Sequence, residues 1–223
     1  MNNTDIIFLN NTAVDALHAG DVYKGFKILS QTFDHSSRNR HHVHNLTASG
    51  AASLEFCLQD CSRNLHLRNT VGDDCCQFLC LNFLRMEVPN TKEDRRVVNQ
   101  LCNCAITWAL RYNLAIVYTI MGFQRTGGVA YFKRALRILY PIKRQVVLQQ
   151  SKSPFWTNLK LSILNNEICM QREVGHNGDI SSSVKAMETL LSQSRRHLDP
   201  LDVKKYYLSM QFLNLCPSVA AAA

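Results

Sequence analysis

The sequence predicts an all-α protein, an α-α superhelix of helical hairpins interrupted by one irregular insertion. Three observations predict it. Apolar residues recur with helical period over most of the 223 residues. Start and stop signals cut the chain into pieces of hairpin size. An Asn-to-Gly signature also returns three times along the chain. A hydrophobic content of 46% is enough to bury a core in one domain or in a short stack of repeats.

The elements follow in order. "DIIFLNNTAVDALHAG" and "DVYKGFKILSQTF" read as two amphipathic helices joined at Gly20 and Asp21, a first hairpin over residues 5–33. Residues 34–90 break the pattern. "DHSSRNRHHVHN" is polar and reads as a mobile loop, whereas "DDCCQFLCLNFLRMEV" is a dense apolar run between Gly72 and Pro89. Such a run is too short for periodicity to separate helix from strand. An extended insertion packed on the helices is expected, with a β-hairpin to "NLHLRNT" as one form of it.

Thr91 and Asp94 supply a capping-box-like start for a long helix ending at Gly122, and "VAYFKRALRILYPIKRQVVLQ" returns from it, giving a second hairpin over 92–149. Ser153 before Pro154 places a cap and an N1 proline, and Gly175 supplies a left-handed stop. With "DISSSVKAMETLLSQSRR" this makes a third hairpin over 153–195. Asp199 before Pro200 opens a capping helix over 199–216.

The repeat lies in "NTAVDALHAG" from Asn11, "NLAIVYTIMG" from Asn113 and "NEICMQREVG" from Asn166, each with Asn nine residues ahead of Gly. In the middle copy Leu114 and Ala115, Tyr118, Gly128, Phe132, Ala135, Leu136 and Pro141 together resemble the tetratricopeptide repeat. Small residues there let two helices approach closely while aromatic residues fill the space beside them. Arg111 stands where that family often has an aromatic, Gln171 replaces Tyr in the third copy, and the third turn is lengthened to "GHNGD". "LNN" followed by a small residue and Gly is similar to the kinesin-light-chain subtype. The layout as a whole, with its Ala-rich tail, also resembles a group of tetratricopeptide-like proteins from diatoms, which implies a fold and no activity.

The resemblance implies that the first helix of each hairpin lines a concave groove and that Asn11, Asn113 and Asn166 hydrogen-bond the backbone of an extended peptide. A carboxamide can meet both the C=O and the N–H of one peptide unit without reading its side chain. Tyr112, Ile116 and Thr119, one turn away on the same face as Asn113, would then supply specificity. The competing reading is that the amides satisfy carbonyls of the adjacent repeat. The carboxylate clamp of chaperone-binding members would need cations beside the groove; Arg111 and Lys160 could stand near it, but the rest of that pattern is missing.

Composition narrows the function class. Nine cysteines in irregular spacing, and no basic leader or apolar run of spanning length, are expected of an intracellular, cytoplasmic protein with no membrane anchor. His41 to His44 and Cys57, Cys61, Cys75, Cys76 and Cys80 offer metal ligands, but no Cys-x-x-Cys pair occurs and buried cysteines explain the spacing, so no metal or other cofactor is expected. No nucleophile elbow, phosphate loop or zinc-protease motif is present.

The formal charge of +8 is concentrated: eleven Lys and Arg lie between Arg95 and Lys160, with no Asp or Glu between Asp94 and Glu167. This suits an acidic partner, or solvated basic helix faces. The expected function is a non-enzymatic scaffold binding an extended, acidic peptide. The alternative is electrostatic binding of RNA or another polyanion, without the paired base-reading positions that sequence-specific RNA-binding repeats need. Three hairpins are near the minimum for a stable stack, so the insertion or a second copy of the chain is expected to complete the core.

Overall fold

Asn2 starts the first helix because its side chain accepts the Asp5 N–H at 2.8 Å while the Asp5 carboxylate accepts the Asn2 N–H at 3.1 Å. In this computed structural model, residues 2–38, 58–61, 79–86, 103–124, 128–147, 153–175 and 177–194 are described, with 198, 200, 203, 204, 206, 207, 209 and 210 at the C-terminal end. They form α1 (Asn3–His18), α2 (Val22–Arg38), β1 (Leu58–Cys61), β2 (Phe83–Met86), α3 (Asn103–Gln124), α4 (Val129–Val147), α5 (Pro154–Val174) and α6 (Asn177–Ser194). The architecture is mostly helical, as expected.

The chain divides into two compact units, one of Met1–Leu65 with Asn82–Val117 and one of His66–Leu81 with Tyr118–Ala223. In the first, α1 turns into α2 at Gly20, whose φ of 85° is left-handed, and Asp21 caps α2 by accepting the Lys24 N–H at 3.0 Å. Helix α2 runs five residues beyond the expected end at Phe33. Near its end Thr32 and Ser36 donate their hydroxyls back to the Ile28 and Phe33 carbonyls at 2.7 and 2.9 Å, so that neither is buried unsatisfied.

The insertion does contribute a strand, but its partner differs from the one expected. β2 pairs antiparallel with Leu58–Cys61, in the register Leu58 to Met86 and Cys61 to Phe83. "NLHLRNT" lies outside the described residues, as do His41 to His44, Thr91 and Asp94.

In the second unit, Ser153 accepts the Trp156 N–H at 3.3 Å, Pro154 takes the first helical position, and Gly175 closes α5 at φ 80°. Helix α6 already begins at Asn177, inside the span expected as the long turn "GHNGD". Gly122 does not end its helix, since α3 continues to Gln124. Its smallness serves packing instead: a Cβ there would lie 2.5 Å from the Phe132 ring, and one on Gly128 would lie 1.9 Å from the Gly122 carbonyl oxygen.

Leu161, Leu164 and Ile168 of α5 pack with Val184, Met187 and Leu191 of α6 and with Val203, Tyr206 and Met210, the last three in the span expected to cap the stack. Tyr206 and Ser162 share a hydrogen bond of 3.1 Å between their hydroxyls. Among the described residues no helix is long and apolar enough to cross a membrane.

Candidate functional site

A β-strand offers the N–H and C=O groups of alternate residues to opposite edges. One edge of β2 faces β1. The groups of Leu84 and Met86 face the other edge, where no strand is paired among the described residues and asparagine side chains take its place.

Asn113 accepts the Leu84 N–H at 2.8 Å on Oδ1 and donates from Nδ2 to the Leu84 carbonyl at 2.9 Å. Asn11 does the same one step along, accepting the Met86 N–H at 3.0 Å and donating to the Met86 carbonyl at 2.7 Å. In the second unit Asn166 accepts the Cys80 N–H at 2.9 Å and donates to the Cys80 carbonyl at 2.8 Å. The three asparagines aligned by sequence thus make the same pair of bonds, each closing both polar groups of one residue of an extended segment. That segment belongs to the chain itself.

Asn10, which the Asn-to-Gly alignment passes over, is a fourth member. Its Nδ2 donates to the Leu84 carbonyl at 3.0 Å and its Oδ1 accepts from Asn113 Nδ2 at 2.9 Å, so it fixes the orientation of the Asn113 amide as well as the strand. The "LNN" doublet was its signal. Asn10, Asn113 and Asn166 are fully buried and Asn11 is 8% exposed. A buried carboxamide is tolerated only where its donors and acceptor are met, and the strand backbone meets them.

The segment's side chains are buried as well: Leu79, Cys80 and Leu81 with the second unit, Phe83, Leu84 and Met86 with the first. Asn82 and Arg85 are half-buried, and Arg85 reaches the Asp15 carboxylate of α1 at 2.7 Å. His18 packs edge-on against Phe83 with ring centroids 6.0 Å apart.

Tyr112, Ile116 and Thr119 do not line an open surface. Tyr112 is fully buried and stacks on Trp108, centroids 6.0 Å apart and rings near parallel at 5°. Ile116 is buried, and Thr119 donates its hydroxyl to the Met170 sulfur at 3.1 Å. A helix face counted from Asn113 therefore leads into packed core. Arg111 lies over the Phe33 ring, 5.4 Å from its centroid, and burial lowers its pKa. Burial also lowers that of the half-buried Lys160.

A separate polar cluster lies in the second unit. Lys143 of α4 donates to both oxygens of the buried Glu167 of α5 at 2.8 and 2.6 Å, and Ser183 of α6 donates to Glu167 at 2.8 Å. Gln171 adds a bond of 3.4 Å. These contacts tie three helices to one carboxylate.

Among the described residues no group of three or more His, Cys, Asp or Glu is placed to hold a metal. Compared with family models, curated proteins and solved structures, the chain matches none.

Proposed function

We propose that the protein is a non-enzymatic, tetratricopeptide-like scaffold that binds polypeptide through its backbone, with its own Leu84 and Met86 as the resident occupants in the first unit and its own Cys80 in the second. One observation carries this reading. Asn11, Asn113 and Asn166 each close two hydrogen bonds on a single residue of an extended segment, the geometry that lets an amide hold a peptide without reading its sequence.

Energetics leave the occupant exchangeable. In the first unit, burying Phe83, Leu84 and Met86 contributes roughly 5–9 kcal/mol, and ordering residues 82–86 costs roughly 5–10 kcal/mol. The amide bonds, worth about 1 kcal/mol net each, are then of the size that decides the balance. An external segment competing for the row would be apolar along its length. It would carry a basic residue at the place of Arg85, because Asp15 waits there. This replaces the acidic ligand expected from net charge.

The test is a labelled peptide of residues 79–86 with a solubilising tag, titrated against the full chain and against Leu84→Pro, which removes the N–H that Asn113 accepts. Binding is expected to be tighter to Leu84→Pro than to the unaltered chain and to be lost when Asn113→Ala is added. Circular dichroism checks that each variant is folded. Met86→Pro, which removes the N–H that Asn11 accepts, replaces Leu84→Pro if that proline unfolds the chain. A folded, vacated row that takes no peptide overturns the reading.

A further inference from the structure

The charge asymmetry finds a definite place on α4. Its inward positions, Phe132, Ala135, Leu139, Ile142 and Val146, are buried and follow helical spacing. The outward positions Lys133, Arg137, Tyr140 and Arg144 repeat at intervals of four, three and four, which puts them on one stripe about 16 Å long. Arg134 flanks it. All four cations are exposed, and among the described residues none of them forms an ion pair.

No carboxylate in sequence can neutralise them locally, because none occurs between Asp94 and Glu167 and Glu167 is itself buried and held by Lys143 and Ser183. Within the stripe, between Arg137 and Arg144, Tyr140 is 60% exposed, a large aromatic surface left in water between two guanidinium groups.

We propose that this face of α4 binds the backbone of a single-stranded nucleic acid, with Tyr140 as the stacking platform for a base. Cations alone would suit any polyanion. The carboxylates that make a peptide acidic, however, offer no flat ring to lay on an exposed aromatic, whereas every nucleotide carries both its charge and a ring, and a basic track interleaved with aromatic side chains is the chemistry that holds single strands without reading sequence. The buried amide row plays no part in this, so the two proposals stand or fall separately.

The test is fluorescence anisotropy of a labelled twelve-residue oligouridylate with the full chain. Binding is expected, with log affinity falling against log salt at a slope of roughly −2 to −3, the value for three or four phosphate contacts on a single strand. The triple substitution Lys133→Glu, Arg137→Glu and Arg144→Glu should weaken it more than about tenfold. Tyr140→Ala should weaken it by roughly 5- to 100-fold, and Tyr140→Phe should preserve it. All these side chains are exposed, so melting temperatures serve as the control for folding. Absence of binding, or affinity untouched by the triple substitution, overturns the proposal. So does equal binding of an oligoglutamate of the same charge with no effect of Tyr140→Ala, which would make the stripe a surface for acidic peptides.

Discussion

The same Asn-Asn doublet occurs in both units and does different work in each. In the first, Asn10 and Asn11 both turn to the strand: Asn11 closes Met86, and Asn10 shares the Leu84 carbonyl with Asn113. In the second, Asn166 holds the segment at Cys80, while Asn165 accepts the Ser209 hydroxyl at 2.5 Å and so ties α5 to the C-terminal residues. The first unit concentrates neutral amides on one strand and makes them redundant. The second spreads its polar interactions over an amide, a hydroxyl and the half-buried Lys143 on the buried Glu167. Identical side chains at identical helical positions therefore take their roles from whatever backbone lies opposite them.

The largest effect should come from the second unit's charge. Lys143→Ala strands Glu167, which is only 7% exposed in its side chain, and is expected to destabilise by about 3 kcal/mol, read by chemical denaturation. Pairing it with Glu167→Leu should recover much of that loss, because the cost lies in the uncompensated charge. Failure of the double variant to recover would mean that the pair is stabilising in its own right.

Next comes the clasp. Asn113→Ala deprives the Leu84 N–H and the Asn10 Oδ1 of these buried partners and should cost about 2–4 kcal/mol. Hydrogen exchange at the Leu84 amide should accelerate with it. Asn10→Ala leaves both Asn113 bonds to Leu84 in place, so a loss of only about 1 kcal/mol is expected. Equal losses for the two would remove the redundancy that distinguishes the first unit.

Arg85→Ala sits at the bottom of the series. Its ion pair with Asp15 is open to solvent, with side chains 32% and 58% exposed, and should contribute under about 1 kcal/mol, fading further at high salt. A larger loss would show that the side chain's packing, rather than its charge, holds the segment.

Much of this was legible from local chemistry. Ser153, Pro154 and Gly175 set the limits of α5, and Gly20 set the first turn, because caps and left-handed residues act within four positions of themselves. The Asn-to-Gly spacing singled out three amides that do share one hydrogen-bonding pattern. Gly122 misled because a small residue serves a helix end and a close helix crossing equally well, and only the Phe132 ring beside it distinguishes them. Tyr112, Ile116 and Thr119 misled because a helix face is defined by what packs on it, and here that is core.

By itself, then, the sequence determined the helical class, the two ends of α5, the charge concentrated on α4 and the presence of amides capable of holding a backbone. What those amides hold was decided by tertiary structure alone. A carboxamide pairs with any peptide unit presented to it, so its own position carries no record of its partner. Only the fold brings Leu84 within reach of Asn113, 29 residues away along the chain, and Cys80 within reach of Asn166, 86 residues away.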